Sequence, residues 1–287
     1  MINLLVKYNN SDITYNLQLN NILNLNNYVN AKNIIQIDIE NTTITDFPIL
    51  YNLSNLKILK FLKNNKIKSL DNLYYIKNLK ELTIFSNNNL KCIYGINKCK
   101  QLKIINITMN KKLTYIYSIN HNYNSSNSSK SFKSLFYKDY SKNIIISNNN
   151  NLIKFKINHN NIKSNINILN CKNLQILNCS NNNIKFIYTE NIKELKILNI
   201  SKNKLTNILD LINLPKLEVL YCRFNKITSI DNLDKCTNLT GLYCGHNSIT
   251  GIFNINKNIN LNYIYCSNNN INCIICYDLK KIKIIFI

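Results

Sequence analysis

Chemistry in this chain would have to come from ten cysteines and three histidines, the residue types that bind soft metals, exchange disulfides or act as nucleophiles and bases. Cys222 lies in "LEVLYCRFNKITSI" (217–230), a stretch that alternates apolar and polar residues as a strand does. Cys273 and Cys276 form a C-x-x-C pair, the spacing of zinc and redox motifs. A second C-x-x-C and nearby histidines are missing. His121, His159 and His246 are far apart, none is spaced to pair with an acid or a nucleophile, and no glycine-rich phosphate loop occurs. No catalytic residue, cofactor or metal site is therefore expected, and the chain is not expected to be an enzyme.

The elements that hold these residues are repeats. "LEVLYCRFNKI" (217–227), "LTGLYCGHNSI" (239–249) and "LNYIYCSNNNI" (261–271) follow one another without a gap. The same frame, L-x-x-L-x-L-x-x-N-x-L, holds at "LQILNCSNNNI" (174–184), "LKILNISKNKL" (195–205), "LIKFKINHNNI" (152–162) and, with Thr42 at the Asn position, "IIQIDIENTTI" (34–44). Repeats starting at Leu56, Leu79 and Leu102 carry one extra residue before the closing apolar position. Between the frames apolar residues recur every third position, as in Ile227, Ile230, Leu233, Cys236 and Leu239. That period suits 3₁₀ or loosely extended backbone better than an α-helix.

The pattern resembles the leucine-rich-repeat family, in its short internalin-like or phosphatase-regulator-like class. The resemblance implies an α/β horseshoe solenoid of ten to eleven coils, with a parallel sheet on the concave face and 3₁₀ or irregular segments on the convex face. The idiom "LYCSNNNI" is also similar to leucine-rich repeats of AT-rich large DNA viruses such as entomopoxviruses, which implies a host-interaction role in host cytoplasm. The recurring asparagine, Asn64, Asn87, Asn110, Asn160, Asn182, Asn203, Asn225, Asn247 and Asn269, is expected to bond backbone groups left unpaired at the turn.

Within that frame the cysteines read as small hydrophobes. Cys179, Cys222, Cys244 and Cys266 take the third apolar position, where Ile107, Ile157 and Ile200 stand elsewhere. Cys99, Cys171 and Cys236 fall three residues before a first leucine. Counting back from Leu279 gives Cys276 and Cys273 the same inward positions, and "LKKIKIIFI" (279–287) reads as a final strand with its lysines facing solvent. Only Cys92 has no place in the frame.

Residues 1–33 read as an N-terminal cap of hairpin and helix, 34–113 as repeats, 114–151 as a Ser/Asn-rich insertion, and 152–287 as further repeats ending in a strand. A degenerate coil in the insertion would put Phe132, Leu135 and Tyr137 in strand positions, with Ile146, Asn149 and Leu152 resuming the period of three. The start of the chain lacks a signal-peptide pattern and no segment has the length of a membrane span, so reduced thiols in a cytoplasmic compartment are expected.

The net charge is +22, from 36 Lys plus Arg against 14 Asp plus Glu. Such a balance points ordinarily to nucleic acid or another anionic surface. Here it is discounted: Asn, Ile, Lys and Tyr, residues with AT-rich codons, are over-used, and Arg223 is the one arginine. Arginine is the residue whose planar fork grips phosphate bidentately.

Function on such a scaffold falls to outward strand residues. The middle outward position reads Asp38, Lys60, Thr83, Asn106, Lys156, Asn178, Asn199, Tyr221, Tyr243, Tyr265, flanked by Arg223, Phe224, His246 and Tyr263. Tyrosine and arginine are enriched at interface hot spots, so this patch is expected to bind a partner protein; a tyrosine ladder that only stabilises its own sheet is the other reading. Asp38, Glu40 and Glu81 outward at one end, and Lys154, Lys156 and His159 in the middle, suggest a face that changes sign. A monomer that binds protein is expected, with electrostatic nucleic-acid binding as the alternative and a phosphatase-regulator role third.

Overall fold

The computed structural model describes residues 2–9, 11, 13–19, 30–45, 47, 52–117, 143–208, 211, 213–253, 255–274 and 283–285. In chain order the strands begin β1 (Ile2–Tyr8), β2 (Thr14–Leu19), β3 (Ile34–Glu40), β4 (Ile58–Leu62), β5 (Ser69–Leu70), β6 (Glu81–Phe85) and β7 (Cys92–Tyr94). They continue β8 (Ile104–Thr108), β9 (Tyr115–Tyr117), β10 (Asn143–Ser147), β11 (Lys154–Lys156), β12 (Asn165–Leu169), β13 (Ile176–Asn178) and β14 (Ile187–Glu190). The last are β15 (Ile197–Asn199), β16 (Val219–Tyr221), β17 (Gly241–Tyr243), β18 (Gly251–Ile252), β19 (Tyr263–Tyr265), β20 (Cys273–Ile274) and β21 (Lys283–Ile285).

Thirteen strands form one sheet in the order β2-β1-β3-β4-β6-β8-β11-β13-β15-β16-β17-β19-β21. The hairpin β1/β2 is antiparallel and lies antiparallel on β3, where Leu4 and Val6 turn onto the core with no exposure. From β3 to β21 every pairing is parallel, one rung per coil. A coil therefore buries its apolar residues only against its neighbours. The inward column Ile39, Phe61, Ile84, Ile107, Ile157, Cys179, Ile200, Cys222, Cys244, Cys266 is at most 1% exposed throughout.

Across the core the return path consists of 3₁₀ turns and three short sheets, β5-β7-β9, β10-β12-β14 and β18-β20. No α-helix occurs among the described residues, and 3₁₀ turns and short strands line the return path as the repeat class implied; the helix expected within the N-terminal cap falls on residues 20–29, outside them. Ile227, Ile230, Leu233, Cys236 and Leu239 are all buried, as the period of three requires. Cys92 opens β7 and is half-buried, pairing in register with Ser69 and Tyr115.

The asparagine ladder joins the coils. Asn203 Nδ2 donates to Cys179 O (3.0 Å) in the preceding coil and to Ile200 O (3.0 Å) in its own, while its Oδ1 accepts the Ile184 N–H (3.1 Å). Asn182, Asn225, Asn247 and Asn269 repeat this bonding. In the earlier coils Oδ1 accepts instead from the preceding ladder residue itself, as Asn87 does from the Asn64 N–H (2.8 Å). The strands of the Leu56, Leu79 and Leu102 coils have five residues, where β11 and β13 have three. Thr42 donates its N–H and hydroxyl to Asn64 Oδ1.

A second ladder stands just before the first leucine. Asn55, Asn78, Asn151, Asn173 and Asn260 each donate to a backbone carbonyl of the preceding coil. Where Glu194 and Lys216 replace asparagine, their side chains pair at 2.7 Å.

Two expectations change. Strand β8 pairs directly with β11, so a degenerate coil built on Phe132, Leu135 and Tyr137, which lie outside the described residues, has no rung between them. Ile146, Asn149 and Leu152 are buried, just after β10 on the return path or within it; residues 118–142 lie outside the described residues. At the far end Tyr263, Ile264 and Tyr265 pair with Lys283, Ile284 and Ile285, two residues later than the count from Leu279 gives. Cys273 is accordingly exposed, because the period of three runs through Ile271 and Ile274, and Ile274 is the residue registered on buried Ile252. Cys276 and Leu279 lie outside the described residues.

Candidate functional site

Strand register fixes which side chains share the outer face of the main sheet. Asp38, Lys60, Thr83, Asn106, Lys156, Asn178, Asn199, Tyr221, Tyr243 and Tyr265 are successive partners across nine pairings. Two residues earlier on each strand runs a second row, of which the sequence reading singled out Glu81, Lys154 and Tyr263 alone: Ile58, Glu81, Ile104, Lys154, Ile176, Ile197, Val219, Gly241, Tyr263. Its signal was present in the strict alternation of the frame. From β13 to β19 both rows are free of charge, in a chain of net charge +22.

Tyr221 and Tyr243 stack with centroids 4.6 Å apart and 20° between planes, and Tyr243 and Tyr265 with 4.6 Å and 5°. Parallel strands about 4.8 Å apart set this spacing. Tyr263, 45% exposed, lies 6.4 Å from Tyr265. Gly241 makes room for the stack: a Cβ there would come within 3.3 Å of the Tyr243 ring. Burial, then the neighbouring phenols of Tyr221, Tyr265 and Tyr263, raise the Tyr243 hydroxyl above its ordinary pKa, so this hydroxyl stays protonated and can donate a hydrogen bond.

Beside it runs a column at the left-handed turn residue that precedes each ladder asparagine. Lys202, Phe224, His246 and Asn268 have φ of 55°, 55°, 56° and 52°. Phe224 and His246 stack at 4.1 Å and 10°, Lys202 Nζ lies 5.3 Å and the Arg223 guanidinium 5.6 Å from the Phe224 centroid, and Asn268 Nδ2 is 3.3 Å from His246 Nε2. Asparagine, lysine, serine, histidine and, at Met109, methionine take this position in other coils; a bulky phenylalanine there is strained by roughly 1 kcal/mol, and Phe224 is 41% exposed.

The structure brings Tyr221, Arg223, Phe224, Tyr243, His246, Tyr263 and Tyr265 onto three adjacent coils. His159 sits at the equivalent turn of an earlier coil, with Asn181 Nδ2 3.5 Å from its Nε2; His121 lies outside the described residues. The sign change along the face is weaker than the sequence suggests, because Asp38 is held by Lys60 (3.0 Å) and Glu40 by Lys63 (3.3 Å).

The strand thiols offer no chemistry. Cys179, Cys222 and Cys244 have no exposure, and burial raises Cys222 to about 12 and holds Cys179 and Cys244 well above the ordinary thiol range. A thiol so protonated is neither ligand nor nucleophile. Among the described residues no three His, Cys, Asp or Glu side chains are grouped to hold a metal, and no helix is long and apolar enough to cross a membrane.

Residues 193–235 match the family model described as Leucine Rich repeats (2 copies). No curated protein matches the chain in sequence. Among solved structures, one described as the LRIM1/APL1C complex aligns at 18% identity over 88% of this chain and 46% of that chain, with a TM-score of 0.62; this chain spans about half its length. An internalin (inlF) from Listeria monocytogenes aligns at 18% identity over 88% of this chain and 87% of its own, TM-score 0.42. Listeria monocytogenes InlP aligns at 18% identity over 96% and 65%, TM-score 0.49. At these identities the likeness concerns the fold alone, and the first of the three carries it.

Proposed function

We propose that this leucine-rich-repeat solenoid is a non-enzymatic scaffold that binds a partner protein on the outer face of its main sheet, over β13 to β19. The observation that carries the reading is the band of two rows without charge, Ile176, Asn178, Ile197, Asn199, Val219, Tyr221, Tyr243, Tyr263 and Tyr265, flanked by Arg223, Phe224 and His246. Depletion of charge at the centre with aromatic residues and arginine around it is the composition of a protein interface core. The exposed Phe224, whose stack on His246 does no more than offset its backbone strain, supports the same reading. A reducing, cytoplasmic compartment suits the buried thiols, and a viral origin of the repeat idiom would make the partner a host protein.

The net charge of +22 favours a second reading, electrostatic binding of nucleic acid. Single strands bind such proteins by stacking bases on open aromatic faces. Here the faces are occupied by neighbouring rings at 4.6 Å, too close to admit a base.

Affinity capture with the wild-type chain and with Tyr221→Ala/Tyr243→Ala/Tyr265→Ala tests the proposal. The bound protein should be lost from the variant at unchanged circular dichroism. Equal recovery by both would refute the site.

A further inference from the structure

The partner's chemistry can be narrowed, on the premise that the face described above is the binding face. From β8 to β21 the outward strand positions carry no acidic residue, whereas Lys154 and Lys156 stand side by side on β11 and Arg223 follows β16. Among the described residues none of the three has a carboxylate within ion-pair distance, unlike Lys60, Lys63, Lys196, Lys216 and Lys257, each of which is paired. Cations left unpaired on a sheet face, beside a strip of Ile176, Ile197 and Val219, are complementary to carboxylates that alternate with apolar side chains.

We propose that the partner presents an extended acidic segment that crosses the strands from β11 toward β19, one carboxylate on Lys154 and Lys156, a second on Arg223, and apolar or aromatic side chains on the uncharged rows. The geometry sets a spacing. Strands β11, β13, β15 and β16 are consecutive in the sheet, so Lys156 and Arg223 are about 15 Å apart at about 4.8 Å per rung. An extended chain rising about 3.3 Å per residue covers that in four or five residues. The acids of the segment should therefore be separated by four or five positions.

Selection from a random dodecapeptide library on the immobilised full chain, at physiological salt, tests this. Peptides enriched on the wild type should carry Asp or Glu at that separation with apolar residues between. A synthetic selected peptide should lose on the order of tenfold in affinity on Lys154→Glu/Lys156→Glu, and selection repeated on that variant should replace acids by lysine or arginine at the corresponding end. No enriched peptide, or the same acidic peptides on the charge-reversed variant, would overturn the inference. Selected peptides that need Tyr221, Tyr243 and Tyr265 but ignore Lys154 and Lys156 would sink it while leaving the binding face intact. Peptides that ignore the tyrosines would instead sink the face. Displacement of the selected peptide by an oligothymidylate, with loss of the oligonucleotide on the charge-reversed variant, would assign the site to nucleic acid and also overturn the inference.

Discussion

Tyr243 and Tyr265 lie with ring centroids 4.6 Å apart and only 5° between their planes, repeating on the surface the spacing of the strands beneath. Identical residues at identical repeat positions must stack in this way, because each parallel rung is a translation of the last. The stack turns ring faces toward each other, and Tyr243 is kept in place by the missing Cβ of Gly241. Gly241→Val should therefore displace Tyr243 without opening the core. Partner capture should weaken about tenfold while the urea midpoint moves little; unchanged capture would mean that the ring's position is irrelevant to binding.

Asn203→Ala removes one donated bond to the preceding coil and one within its own; both carbonyls keep a bond from a neighbouring ladder asparagine, but the buried Ile184 N–H loses its acceptor. The cost should be about 1–3 kcal/mol, that of one buried donor left unsatisfied. Urea titration followed by circular dichroism checks it, with Lys204→Ala, on the exposed neighbour, as the variant that should not move the midpoint.

Phe224→Asn exchanges two effects of similar size. The left-handed backbone is relieved by about 1 kcal/mol, and the stack on His246 at 4.1 Å, of about 1 kcal/mol, is lost. The melting temperature should stay within a few degrees of wild type while partner capture falls. A clear drop in melting temperature would make Phe224 a packing residue.

The buried thiols give the pH dependence a definite sign. Cys222 is raised by burial from 9.0 to about 12. Its folded form is the neutral one, so the contribution to stability is complete below pH 9 and is lost as pH rises from 9 toward 12, where only the unfolded thiol ionises. Cys222→Val should flatten the loss of stability over that window in urea melts at stepped pH. At pH 8 a disulfide reagent should react with exposed Cys273 at once and with Cys179, Cys222 and Cys244 only on unfolding.

Much of this architecture was legible in the chain because a solenoid writes its geometry as a period. The frame placed Cys222 beside Cys244 and Tyr221 beside Tyr243 before any coordinate did, and it assigned Asn182 and Asn203 to the turn. Where the period lapses, reading fails. Cys273 was misplaced because counting back by threes from Leu279 points it inward, whereas counting on from Ile271 points Ile274 inward, and the pairing of Ile252 with Ile274 chooses the second. The extra residue after Asn64, Asn87 and Asn110 was visible, but its consequence, a ladder bonded asparagine to asparagine, follows from backbone direction rather than residue type. Phe224 and His246 were recognised as outward, whereas the left-handed backbone that makes Phe224 costly leaves no trace in a sequence without glycine at that position.

The central claim is that the outer face of the main sheet, and not the return path, meets the partner. Site-specific photo-cross-linking in the native cell tests it most directly, with benzoylphenylalanine placed at Tyr243 on β17 or at Phe186, exposed on the return path beside β14. A covalent adduct of one size from position 243, absent from position 186, is the expected result. Adducts from position 186 alone would contradict the account.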